Sequence, residues 1–371
     1  MVHRPVIRSL LFFPLIAGIL SCSSGAGQQR EAAPGNAFAA FFELLPDAAV
    51  SISPFTGDRD TLRIDGPMDN IVCMSTSHVA FLSETGRASA ITGVSGAGFL
   101  SDPELKGRQD LAEVGYDATF DYEMVMRLDP DVVLAYSVSS VEPQYVSRLR
   151  SMGISVFVLY DHLEQHPLAR AEYVRVAGAL TGARDVSDSL FRSVSEKYMG
   201  MAAAVADSIG RRPESGSAGG PILDSHVRPG VLLNLPYSDM WYVPGAENYM
   251  SALIRDAGGE VLGAAKGSAA SSVISVEDAY RLSRKADFWL NTGNCTSRKQ
   301  IESLHPLFPR FGPMRRTHSV FNNVARVNAA GGNDFWESGA AHPELILSDL
   351  IAIFRGEAGD GSALHYYIEV E

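Results

Sequence analysis

The chain has 371 residues, of which 46% are apolar and 20% charged, enough for two lobes with buried cores and too many charges for a bundle of membrane helices. Its formal net charge of −12 argues against a nucleic-acid partner, whose phosphates need the opposite sign, and suits docking onto a basic protein surface.

Residues 1–21 read as an export signal. Arg4 and Arg8 form a basic start, and Leu10 to Leu20 is an uncharged apolar run about half as long as a bilayer span. Losing these two cations takes the net charge from −12 to −14. The run ends in Ile19-Leu20-Ser21-Cys22, which resembles the bacterial lipobox and makes Cys22 the expected lipidation site. The expected location is the periplasm of a Gram-negative bacterium, with the lipid as the sole membrane attachment. Residues 22–47 read as a tether, small and polar over 23–35. Cys73 lies in an apolar strand and Cys295 in the other half of the chain, so no bridge between them is expected.

Residues 48–65 alternate loosely and predict a β ribbon, and from residue 71 strand and helix alternate through residue 163. Strands are predicted at 71–75, 90–94, 131–135 and 154–159, with helices between them. Short strands separated by helices imply a parallel sheet covered on both faces. Residues 164–209 lose strand character. Leu168, Tyr173, Val176 and Leu180 space as one helix, and 184–209 as a second that would be about 39 Å long. A rod of that length between two α/β patterns reads as a spine. Residues 210–229 read as a flexible loop. A second α/β lobe is expected over 230–356, followed by a tail over 357–371. The segments 121–134 and 275–290 echo one another. Each has a glutamate near a helix start, then Arg-Leu, then an aspartate leading into an apolar strand, as in one unit used twice.

The stretch Ile71 to His78, the stretch Tyr122 to Leu134 and the stretch Ser275 to Phe288 together resemble the periplasmic binding proteins of the iron-siderophore, haem and cobalamin ABC importers. The resemblance covers roughly residues 68–355, and the segment Gly331 to Gly339 is similar to a variant common in Bacteroidetes-type bacteria. It implies an α/β fold of two lobes with mainly parallel sheets joined by a single long spine helix, the class III arrangement. It also implies a non-enzymatic role: a monomer that captures an iron chelate (siderophore or haem) or cobalamin and delivers it to a permease dimer with its ATPase. No resident cofactor is expected. By the same resemblance Glu123 and Glu277, one per lobe, match the glutamates that dock onto permease arginines. Two exposed carboxylates can make charge-assisted bonds whose spacing reports lobe closure, although acidic residues also favour helix starts on electrostatic grounds alone.

The ligand is expected at the C-terminal ends of the strands, where α/β sheets leave a crevice. Candidate contacts there are Ser75, Thr76, Ser77, His78, Tyr116, Tyr136, Tyr160, Trp241, Tyr242, Asn291, Asp334, Phe335 and Trp336, with Trp241 and Trp336 foremost. His78 is a candidate axial haem ligand, but no other histidine forms a metal-spaced pair with it, so no zinc or manganese cage is expected. Asp117, Ser271 and Ser338 stand where cobalamin binders carry two tryptophans and an arginine, which weakens cobalamin. Arg108, Arg310, Arg315 and Arg316 are available for a catecholate. Two rivals stay open. One is a scavenger or sensor of the same fold without a permease. The other is a two-lobed enzyme such as a glycosyltransferase, against which stands the lack of a phosphate-cradling glycine loop or a nucleophile elbow.

Overall fold

In the computed structural model, residues 30–116, 119–210, 228–358 and 364–371 are described. The chain opens with a three-stranded antiparallel ribbon of β1 (Phe42–Leu44), β2 (Ala48–Ile52) and β3 (Arg59–Arg63). The N-terminal lobe follows as β4 (Ile71–Cys73), α1 (Thr76–Glu84), β5 (Ile91–Val94), β6 (Ala112–Glu113), α2 (Tyr122–Leu128), β7 (Val132–Tyr136), α3 (Gln144–Ser151) and β8 (Val156–Leu159). Its five strands are all parallel, in the order β6-β5-β4-β7-β8. Every residue of β4 and β8 is buried, as a sheet covered on both faces requires.

The predicted single helix after residue 164 is two helices, α4 (Pro167–Ala171) and α5 (Val174–Leu180), interrupted at Glu172 and Tyr173. The spine α6 runs unbroken over Arg184–Gly210, 27 residues and so about 40 Å. It packs tightly on α5, where a Cβ on Gly178 would lie 2.0 Å from the Ser187 hydroxyl oxygen. Most of the predicted loop 210–229, residues 211–227, lies outside the described residues.

The C-terminal lobe contains β9 (Gly230–Leu233), β10 (Trp241–Val243), α7 (Tyr249–Asp256), β11 (Glu260–Val261), β12 (Ser272–Ile274), α8 (Val276–Ser283), β13 (Phe288–Leu290), α9 (Arg298–Leu304), β14 (Val320–Asn322), α10 (Pro343–Arg355) and β15 (Ile368–Glu369). Its sheet has the order β11-β9-β13-β14-β15 with an antiparallel last strand, and β10 and β12 form a separate antiparallel pair. Setting β9 on β4 aligns β11 with β5, β13 with β7 and β14 with β8. The same superposition pairs α7 with α1, α8 with α2 and α9 with α3. The sequence echo is thus one βα unit built twice.

Two boundaries differ from the sequence reading. The expected tether does not extend to residue 47, because Ala33, Ala39, Phe41 and Phe42 are buried and β1 belongs to the ribbon. This arm is held by two buried carboxylates. Glu172 accepts the backbone N–H groups of Ala37, Phe38 and Ala39, each at 2.8 Å, and Glu164 those of Ala40 and Phe41 at 2.9 and 3.0 Å. Nor is 357–371 a free tail, since β15 adds to the C-terminal sheet and Tyr366, Tyr367 and Val370 are buried. Cys73 and Cys295 are buried free thiols. Among the described residues no helix is long and apolar enough to cross a membrane.

Candidate functional site between the lobes

The C-terminal ends of the parallel strands of the two sheets frame the candidate site, because there the chain leaves each strand for a loop. At one end of the interface the lobes are tied. After β14 the chain carries Glu337, only 2% exposed, whose carboxylate accepts the N–H groups of Ser101 and Asp102, both at 2.8 Å, from the loop between β5 and β6. Asn328 donates from its side-chain amide to the carbonyls of Gly98 and Leu100 at 3.1 and 2.9 Å. Gly332 lies against the same loop so closely that a Cβ would fall 1.8 Å from the Phe99 carbonyl oxygen, which makes glycine obligatory there. Below this junction His342 bridges Glu84, at the end of α1, and Glu344, at the start of α10, with 2.9 Å contacts to each.

Electrostatics follow from this burial. Desolvation pushes the Glu337 carboxyl up to about 7, although the Ser101 and Asp102 amides favour the ionised form. Burial alone would lower His342, but Glu344 and Glu84 outweigh it and push the imidazole up to about 10.

At the other end, among the described residues, no carboxylate accepts backbone N–H groups across the lobes; there Asp161, just beyond β8, pairs with Arg170, whose guanidinium lies 5.6 Å from the Tyr249 ring of α7, and the surface around it is largely aromatic and apolar. In the N-terminal lobe Tyr136 ends β7 half-buried, Val138 beyond it is 45% exposed, and Tyr160 follows β8 half-buried. The Tyr136 ring meets His162 edge-on at 5.9 Å. In the C-terminal lobe the turn between β9 and β10 exposes Tyr237 and Met240, with Tyr242 half-buried beside them. Tyr116, beyond β6, is exposed on the N-terminal lobe.

Solved structures share this architecture. A periplasmic heme binding protein from Pseudomonas aeruginosa matches with a TM-score of 0.59 at 16% identity, over 82% of this chain and 98% of that one. The periplasmic vitamin B12 binding protein of Vibrio cholerae matches at 0.54 and 12% identity, over 79% and 99%. An Fe3+–Desferal-bound siderophore binding protein from Vibrio cholerae matches at 0.55 and 12%, over 77% and 99%. The chain has the periplasmic-binding-protein fold. An uncharacterized lipoprotein of Methanocaldococcus jannaschii is 19% identical over 319 residues, 82% of this chain and 70% of that protein. No family model matches the chain.

Within the binding-protein fold the expected site residues separate into two groups. Ser75, Thr76, Tyr116, Tyr136, Tyr160, Tyr242 and Trp336 are exposed or half-buried, Ser75 serving as N-cap of α1. Six others are taken up by the interior. Trp241 is fully buried, its indole N–H donating to the Leu233 carbonyl at 2.9 Å and its ring stacked on Phe311 at 5.9 Å beside Trp289 and Phe308. Its place at a strand start hides it, because β10 lies over the aromatic cluster rather than at the rim. His78 is fully enclosed, with Nδ1 3.1 Å from the Leu134 carbonyl and Nε2 3.6 Å from Asp161, so it offers no nitrogen to a haem iron. Burial alone would raise the Asp161 carboxyl, but His78 and Arg170 hold it well below the usual range. Ser77 is buried on the first turn of α1. Asn291 is 8% exposed and accepts from the Tyr367 hydroxyl at 3.0 Å. Asp334 is buried and paired with Arg326, and Phe335 is packed edge-on against Tyr366 and Tyr367, each at 5.8 Å.

Glu123 and Glu277 are the second residues of α2 and α8, capped respectively by Asp121 and Ser275, and both side chains are exposed. They occupy equivalent positions in the repeated unit. Cys22 and Asp117 lie outside the described residues. The four arginines do not form a catecholate cluster. Arg108 is spent on Asp110 and on the carbonyls of Ala88 and Ile91, and Arg316 on the carbonyls of Ala286 and Asp287. Arg310 and Arg315 each close a separate short turn. Among the described residues no group of three His, Cys, Asp or Glu side chains could hold a metal ion. Sequence reasoning missed the inter-lobe tie altogether. The signal was Glu337, a carboxylate set beside Phe335 and Trp336 in a glycine-rich loop.

Proposed function

We propose that this protein is the capture component of an ABC importer. It is tethered through a lipid on Cys22 and takes an iron chelate, either a siderophore or haem, or a cobalamin between its lobes without chemistry on it. The observation that carries this reading is the repeated unit itself. Four parallel strands recur in the same order in both lobes, and the unit places one exposed carboxylate, Glu123 or Glu277, at the same helical position of each lobe. A pair of matched surface charges fits recognition of a symmetric permease dimer bearing arginines. The aromatic rim suits a ligand with a broad apolar face. The solved structures that share the fold are described as binding proteins, which supports a non-catalytic role.

Titration of the mature protein with haemin, a ferric siderophore and cyanocobalamin tests the ligand class by calorimetry and tryptophan fluorescence. Saturable binding of one class supports the reading, and flat responses to all three reject it. Charge reversal at both Glu123 and Glu277 is expected to abolish uptake in cells while leaving ligand affinity intact. A loss of affinity instead would assign the two glutamates to the pocket.

A further inference from the structure

We infer that the N-terminal ribbon contributes to the ligand site through Phe55, at the tip of the β2–β3 hairpin. This inference rests on the capture reading and adds a subsite to it. The hairpin is fastened alongside β8, the edge strand of the N-terminal sheet. The Ser51 hydroxyl donates to the Val158 carbonyl at 2.5 Å, and Arg150 links Asp60 of β3 to Glu142 and to the Val156 carbonyl. That register carries the tip, residues 53–58, past the C-terminal end of β8 and onto Tyr160. The Phe55 ring meets the Tyr160 ring edge-on at 6.3 Å and 76°.

The tip is a built turn rather than a loose loop. Ser53 N–H donates to the Asp58 carbonyl at 2.8 Å and Gly57 N–H to the Ser53 carbonyl at 2.9 Å. The Ser53 hydroxyl oxygen accepts from the N–H groups of Phe55 and Thr56, both at 3.3 Å, and Thr56 donates to Asp58 at 2.7 Å. Phe55 nonetheless stays 42% exposed. A rigid backbone thus holds an aromatic ring in solvent, at little further entropic cost for binding.

Its position decides what it can meet. The β5 end of the interface is closed by Glu337, Asn328 and Gly332, so a guest held between the lobes extends toward the ends of β7 and β8. Tyr136 ends β7 and Tyr160 follows β8, and the Phe55 ring lies against Tyr160. A ring presented beyond Tyr160 suits a ligand with a planar conjugated face wide enough to pass it. Phe55 then selects for ligand width, discriminating planar macrocycles from compact chelates.

The test compares wild type with Phe55→Ala and Phe55→Tyr in the full mature chain, titrated with haemin and with cyanocobalamin. Thermal melting serves as the folding control. Phe55→Ala is expected to weaken the bound macrocycle by roughly tenfold, and Phe55→Tyr to restore it to within about twofold, as loss and recovery of one aromatic contact would. If wild type binds either macrocycle and Phe55→Ala binds it equally well, the Phe55 subsite is wrong and the capture reading stands. If wild type binds neither, the capture of planar chelates fails, and the subsite with it. Should Phe55→Ala melt early, Phe55→Tyr and Phe55→Lys decide the matter. Retained affinity in Tyr and lost affinity in Lys support the ring contact, and equal affinity in both overturns it.

Discussion

The two ends of the inter-lobe interface are built from the same kinds of loops and behave as opposites. At the β5 end a buried carboxylate, a side-chain amide and a glycine lock backbone to backbone across the lobes. At the β8 end the loops carry Val138 and Phe55, both exposed, with Tyr160 half-buried against Phe55. A hydrogen-bonded tie fixes geometry, whereas an exposed apolar rim leaves its area unsatisfied, which is what the proposed capture role would use. The comparison teaches that one interface between two lobes can carry polar backbone locks at one end and exposed apolar side chains at the other.

Breaking the tie gives the largest expected effect. Glu337→Ala leaves the half-buried Ser101 and Asp102 N–H groups without their acceptor, a loss of about 1–3 kcal/mol. It should appear as a lower urea midpoint and faster hydrogen exchange at those two amides. Exchange as slow as in wild type would show that the lobes are held elsewhere.

A pH series comes next. Glu337 titrates near 7 in the folded protein against an ordinary 4.5, so the folded state binds the extra proton between these values and stability falls as pH rises through them. His342 titrates near 10 against 6.5, so its contribution is full below 6.5 and gone above 10. The junction should therefore loosen steadily from acid to alkali, by several degrees in melting temperature. The charges facing Glu337 are Asp334 and Asp102. Glu337→Gln should flatten the slope below pH 7 and leave the alkaline limb, which His342→Gln removes.

The apolar end should respond in affinity rather than stability. Val138→Asp changes stability by no more than about 0.5 kcal/mol, as surface substitutions do, yet weakens binding of whichever macrocycle the wild type takes. Unchanged affinity would move the ligand away from the β7 end. The smallest effect on the isolated protein is expected for Glu123→Lys with Glu277→Lys. Melting and ligand affinity should match wild type, and uptake by cells alone should be lost.

Much of the fold is legible in the sequence because it rests on local pattern. Apolar runs such as Val132–Tyr136 predict buried parallel strands, and the spacing from Val186 to Val205 predicts the spine. What escaped depends on partners far along the chain. The tether reading rests on the small, polar residues 23–35 and extends to 47, and it is Glu164 and Glu172, far along the chain, that hold residues 37–41 in place. Trp241 looks like a ligand contact from its place near a strand end, and Phe308 and Phe311 make it core. The aromatic rim was half visible. Tyr136, Tyr160 and Tyr242 stand out by type, but Val138 and Met240 are ordinary residues made notable by exposure alone.

The seat of the N-terminal arm has a consequence for how the molecule assembles. Ala37 waits for Glu172, 135 positions downstream, and Ser101 for Glu337, 236 positions downstream. Loops of that span close slowly, and the stitch at Glu337 has to wait until nearly the whole chain is available. Both sutures are therefore late events in folding. A protease added during refolding would find the arm cleavable until the N-terminal lobe is whole, and protected from then on.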